Sequence, residues 1–138
     1  MTSAPAHMPR SLRALMFATD VGFLAYWLIT LARVVPPSYL FKDYADPLVV
    51  AWNWSFFPLD LAISSTGLTS LWLHRRSDPR WRGWTLISLS LTSCSGLMAV
   101  SYWALRADFA VSWWLPNLFL LVYPVVFVRG LLCAPTPR

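Results

Sequence analysis

The sequence predicts an all-α integral membrane protein: a four-helix bundle, antiparallel and up-down-up-down, with both termini on the cytoplasmic side. Three observations predict it. Charged residues make up only 12% of the chain and hydrophobic residues 57%, where a soluble domain carries about 25% charged residues. The apolar residues gather into four runs, each about as long as the 20 or so residues that span a bilayer as helix. The basic residues sit at the ends of those runs and are shared unequally between the two sides.

Residues 1–11 are polar and rich in proline and are expected to form a disordered cytoplasmic tail. They do not read as a signal peptide, because the apolar run behind them is too long and no small-residue cleavage site closes it. The first span covers about residues 12–35 and stops at Pro36 and Pro37. The second covers about 48–73 and stops at the basic cluster that includes Arg75 and Arg76. The third and fourth cover about 84–105 and 111–132. In lipid the backbone must bond to itself, so each run is helix and not strand. Short connections make sequential helices antiparallel neighbours, giving one transmembrane domain over 12–133 and a cytoplasmic tail over 134–138.

Eight basic residues (Arg10, Arg13, Arg75, Arg76, Arg80, Arg82, Arg129 and Arg138) fall on one side, and three (Arg33, Lys42 and Arg106) on the other. The three are mixed with Asp43, Asp46 and Asp108. Positive charge marks the cytoplasmic side, so both ends lie inside and residues 36–47 face outward. The net charge of +5 therefore reads as a topology signal that can also touch anionic headgroups. It does not read as a nucleic-acid surface, because the basic residues form no patch with polar spacing. Cys94 and Cys133 are not expected to pair. Their depths differ by roughly 15 Å at helical rise, and a disulfide needs Cα atoms within about 7 Å.

The polar residues inside the spans carry the functional question. Asp60 lies near the middle of the second span, where a charged carboxylate costs about 2.5 to 3.5 kcal/mol. No lysine or arginine lies at its depth. It must face protein or water, and it is expected to be hydrogen-bonded and neutral. Asn53, Asp60 and Gly67 recur at seven-residue spacing, with Ser64 one turn after Asp60, so they share one helical stripe. Pro58 removes a backbone donor and clashes with the carbonyl of Trp54, which predicts a kink beside that stripe. Asp20, in the first span, is a possible second acid. Its expected partners are interfacial water or Arg13, seven residues earlier on the same face.

In the third span Ser88, Thr92, Ser95, Ala99 and Tyr102 form one stripe, and Ser88, Thr92 and Gly96 repeat as small residues four apart. That pattern predicts a close helix–helix seam with hydroxyls bonding across it. Asn117, after Pro116 in the fourth span, falls at the depth of Asn53 by residue counting. Trp52, Trp54, Trp103, Trp113 and Trp114 cluster at the same level. An interfacial aromatic belt accounts for most of the nine tryptophans. The sharper reading is an aromatic-walled cavity in the outer half, with Asp60, Asn53 and Asn117 as convergent polar groups and Trp54, Ser64, Trp113 and Tyr102 around them, the usual chemistry of a small-molecule site between helices.

The stretches "WNWSFFPLDLAISSTGLTSLWL", "SGLMAVSYWALRADF", "WWLPNLFLLVYPVVF" and "SYLFKDY" resemble the YvaD-like family of small bacterial membrane proteins. The resemblance covers about residues 15–127. It implies a four-helix protein of a bacterial cell (inner) membrane and carries over no catalytic or binding residue.

Two functions fit these residues. One is binding or transport of a small apolar or cationic molecule in the cavity around Asp60. Four helices make a thin path, so transport implies a homodimer. The layout is similar to that of small multidrug-resistance transporters, in architecture alone. Those carry an acid in the first helix, where this chain has Asp20, but the surrounding residues follow a different pattern. The other function is a structural or accessory membrane subunit, in which the same polar residues only join helices. An enzyme finds little support. His7 lies in the tail and His74 at the cytoplasmic interface, about 20 Å in depth from Asp60. A lone acid with Tyr102 or Tyr123 could at most move a proton. No cofactor motif, metal-ligand spacing or nucleophile–base pair is present.

Overall fold

A computed structural model of the chain describes residues 7–133. Helix α1 spans Arg10–Ala32, α2 Pro47–Ser55, α3 Phe57–Arg75, α4 Trp81–Leu105 and α5 Val111–Cys133. A one-turn 3-10 helix, Pro37–Tyr39, lies between α1 and α2. The α2 and α3 segments form one bent rod, so the bundle has four members. α1 packs on α3, α3 on α4, and α4 on α5, each pair antiparallel. α1, α4 and α5 are each long and apolar enough to cross a membrane. Their outer faces carry Phe17, Leu28, Leu97, Phe119, Val122 and Val126 exposed, a surface that suits acyl chains better than water.

The structure corrects three expectations. The second span is not one helix over 48–73 but two helices that meet at Phe56. Pro58 has no N–H for the Trp54 carbonyl, and the Phe56 N–H turns back to Asn53 O at 3.1 Å. The break is therefore where the proline placed it: the helical hydrogen bonds stop at Phe56 and resume with Asp60 N to Phe56 O at 2.8 Å. Second, residues 7–11 are not part of a disordered tail. Met8 is buried in the cluster with Leu12, Met16, Leu73 and Leu131, and α1 already begins at Arg10. The remaining tail residues, 1–6 and 134–138, lie outside the described residues. Third, Asp20 reaches neither Arg13 nor water. It is 1% exposed and lies against Gly67 of α3.

The loops at the cavity end are tied together by charge. Asp46 caps α2 by accepting from Leu48 N at 2.9 Å. Lys42 pairs with Asp108, and Arg106 lies 3.6 Å from Asp43 and 3.5 Å from Asp46. These pairs join the α1–α2 loop to the α4–α5 loop. At the opposite end Ser70 and Thr85 share a buried hydroxyl contact of 2.5 Å where α3 turns into α4, and Asp78 closes that turn on Arg80.

The α4–α5 seam is as close as the small-residue spacing predicts. A Cβ on Gly96 would stand 2.7 Å from Asn117 O on α5. The Ser93 hydroxyl donates to Leu121 O at 3.0 Å. α1 and α5 meet differently, through side chains: Leu12 and Met16 with Leu131 and Tyr123, and the Tyr123 hydroxyl at 3.2 Å from Thr19 Oγ1.

Candidate functional site

Above that α1–α5 contact the bundle opens. A cavity of about 340 Å³ is lined by Phe23, Tyr26 and Trp27 of α1, Trp52 and Asn53 of α2, Asp60 of α3, Ser95 and Ala99 of α4, and Trp113, Pro116 and Asn117 of α5, with Leu40 of the first loop closing it.

Asp60 sits in the first turn of α3, 5% exposed. Its Oδ2 accepts from the indole Nε1 of Trp27 at 2.9 Å, and the Ser95 hydroxyl also faces the carboxyl. Its Oδ1 has no protein partner. Asn53 is arranged the same way. Its Oδ1 accepts from the Tyr26 hydroxyl at 3.0 Å, and its Nδ2 is buried without a partner. Both residues line the cavity, and each is held through one polar atom while its other polar atom, Asp60 Oδ1 or Asn53 Nδ2, is buried without a hydrogen-bond partner. Buried polar atoms left unmatched cost about 1 to 3 kcal/mol each, so the arrangement favours a molecule that answers both.

Asn117 lines the same cavity but is partly used by its own helix: its Nδ2 donates to Trp113 O one turn back, at 2.6 Å. Trp113 lines the wall and stacks on Trp103, ring centroids 5.9 Å apart.

Three residues expected in the cavity lie elsewhere. Trp54 follows Asn53 by one residue and is turned about 100° from it around the helix. It packs on Trp27 from the other side, at 5.3 Å, and lines a separate groove with Thr30 and Pro36. Ser64 shares the face of Asp60 one turn on, but there α1 closes against α3 and leaves no room. Its hydroxyl donates to Asp20 O at 3.0 Å. Tyr102 stacks on Trp52 with centroids 4.1 Å apart, because Trp103, one turn after Ala99, takes the inward position and is buried. Asp20 lies seven residues from Trp27 along α1, as Gly67 lies seven from Asp60 along α3. The two carboxyls therefore sit about 10 Å apart along the bundle, and Asp20 Oδ2 is also buried and unpartnered.

Sequence reasoning missed Tyr26, Trp27 and Ser95 as cavity residues. Nothing in the sequence marked Tyr26 and Trp27, since lipid tolerates both at any interface; the short connection makes their helix a neighbour of the second span, but spacing does not say which way each helix is turned.

Residues 12–137 match a family described as "Family of unknown function (DUF5360)". The uncharacterized protein YvaD of Bacillus subtilis (strain 168) is 48% identical over 123 residues, 89% of this chain and 92% of that protein. No solved structure matches.

Proposed function

The chain belongs to the DUF5360 family of unknown function, so its activity must be read from its own residues, and we propose that it is a multi-pass protein of a bacterial cell membrane that binds a small molecule in the cavity at Asp60. Both termini lie in the cytoplasm on this reading, supported by the arginines that crowd the end of the bundle near Arg10, Arg75 and Arg82 and by the rule that such charge stays inside. The cavity then belongs to the outer half of the membrane. The observation that carries the reading is the pair of unmatched atoms, Asp60 Oδ1 and Asn53 Nδ2, in one aromatic-walled space. The ligand is small and largely apolar, with a group that bonds the carboxyl. Transport by this route needs a second copy of the chain, because four helices leave no path that opens to both sides.

A second reading is favoured by other hydrogen bonds. Ser64 to Asp20 O, Ser93 to Leu121 O and the Ser70–Thr85 contact all join helices, each worth about 0.6 to 1.7 kcal/mol. On that reading the protein is a structural or accessory subunit and Asp60 is one more such bond.

Quenching of tryptophan fluorescence separates the two. The probes are 4-bromobenzyl alcohol and 4-bromobenzylamine, added to protein in lipid nanodiscs. Cavity binding predicts saturable quenching that weakens by about tenfold or more in Asp60→Leu. Identical quenching curves for wild type and Asp60→Leu, with both folded, overturn it in favour of the structural role.

A further inference from the structure

A second, apolar opening borders the cavity. Below it, between α1 and α5, runs a groove of about 300 Å³ lined by Leu15, Ala18, Thr19, Gly22, Phe119 and others. Phe23, Pro116 and Leu120 line both the groove and the cavity. The groove ends where Tyr123 reaches Thr19. It exists because α1 and α5 meet only through side chains, because Gly22 brings no side chain, and because Pro116 opens α5 at that level. Its wall is nearly all apolar, and it faces the surroundings of the bundle.

Resting on the cavity reading above, we propose that the ligand is an uncharged single-chain amphiphile with a hydroxyl head, entering sideways from the bilayer between α1 and α5. The head lies between Asp60 and Asn53, and the chain lies along the Gly22 groove.

The head group follows from the two free atoms. Asn53 Nδ2 can only donate, so the ligand must accept there. Asp60 Oδ1 accepts when ionised and can donate when protonated. A hydroxyl both donates and accepts, so it can answer either residue, whichever state the acid is in. An ammonium only donates, so it leaves the Asn53 amide unmatched. The chain requirement follows from adjacency: a cavity that holds two unmatched polar atoms and is bordered at Phe23, Pro116 and Leu120 by an apolar groove fits a molecule polar at one end and apolar along its length. A chain in the groove leaves one lipid-like setting for another, so entry costs it little, while the head gains hydrogen bonds absent from hydrocarbon.

The test is competition against the short probe, 4-bromobenzyl alcohol, at equal mole fraction in the bilayer. The competitors are 1-undecanol, undecylamine and benzyl alcohol, each on wild type and on Gly22→Phe. A Cβ at Gly22 meets nothing within 4 Å, so a side chain there starts in open space on the groove wall; Ala18→Phe, on the same wall, is the second variant. We expect undecanol to compete well on wild type and undecylamine to compete less. Gly22→Phe should weaken undecanol about tenfold and leave benzyl alcohol unchanged. Undecanol unaffected by both groove variants, or excluded already on wild type, overturns lateral entry while the cavity reading stands. Undecylamine matching or exceeding undecanol overturns the hydroxyl head. Absence of saturable quenching by the short probe itself removes the cavity reading and this inference with it.

Discussion

The indole of Trp27 holds one oxygen of the Asp60 carboxyl at 2.9 Å and leaves the other buried without a partner. This one bond joins α1 to the first turn of α3, just past the bend at Phe56. It orients the acid without consuming it.

Trp27→Phe keeps the aromatic bulk and removes the donor. It should lower stability by about 0.6 to 1.7 kcal/mol, the range for a hydrogen bond between membrane helices. Thermal unfolding in detergent measures it, and a double-mutant cycle with Asp60→Leu isolates the bond. Asp60→Asn should be nearly silent in the same assay, since an amide oxygen still accepts from the indole. A coupling energy near zero would mean that the bond carries no weight in the fold.

Gly67→Ala places a methyl 2.6 Å from Asp20 Cγ, in a contact with no spare volume. A loss of about 1 to 3 kcal/mol is expected for such overpacking. Because the clash is with a side chain, Asp20→Ala should relieve it. If Gly67→Ala is equally harmful in the Asp20→Ala background, the acid is not what Gly67 makes room for.

Gly96→Ala meets main-chain atoms of α5, among them Asn117 O at 2.7 Å. No single side-chain truncation on α5 can restore the fit, so the expected loss is at or above the upper end of the same range. It should also separate α4 from α5, which a distance measurement between labels on the two helices would detect. A variant as stable as wild type would contradict the closeness of the seam.

The loops over the cavity should respond to acid. Lys42 beside Asp108 holds that carboxyl below the usual carboxylate range. A carboxyl whose folded pKa is depressed adds stability above its unfolded value, near 4, and loses it as pH falls through the lower folded value. The difference in melting temperature between wild type and Asp108→Asn should therefore be constant from pH 7 to about 5 and shrink as pH drops through the range below 4. A difference that does not change with pH would show that the pair adds nothing to the fold. High salt should also reduce it, since both partners are partly exposed.

Much of this was legible in the order of residues. The apolar runs could be read because lipid leaves a chain no choice but helix. A close seam on α4 could be read because small residues four apart have one common use, but not its partner: Gly96 meets α5 while Ser88 donates to Ile63 O of α3. Pro58 announced its kink because a missing N–H acts locally, whatever surrounds it. Asn53 and Asp60 were marked by the cost of burying them, which depends on depth alone.

Contacts between helices were not legible. Spacing puts Asp20 and Arg13 on one face, yet the acid lies against Gly67, because packing between α1 and α3 sets what each side chain meets. The same spacing favours Tyr102 for the cavity, and Trp103 takes the inward place by a rotation of one residue. Trp54 and Ser64 fail for reasons of the same kind.

The sequence alone determined the class of the protein, its four-membered layout and the polar residues that lipid would not tolerate, since each follows from the energy of a residue in a bilayer. Only the tertiary structure decided which of those residues meet. That Trp27 and Tyr26 each occupy one atom of Asp60 and Asn53, and that α1 and α5 stand apart beside them, depends on how far helices approach and which way each is turned, and no single helix encodes either.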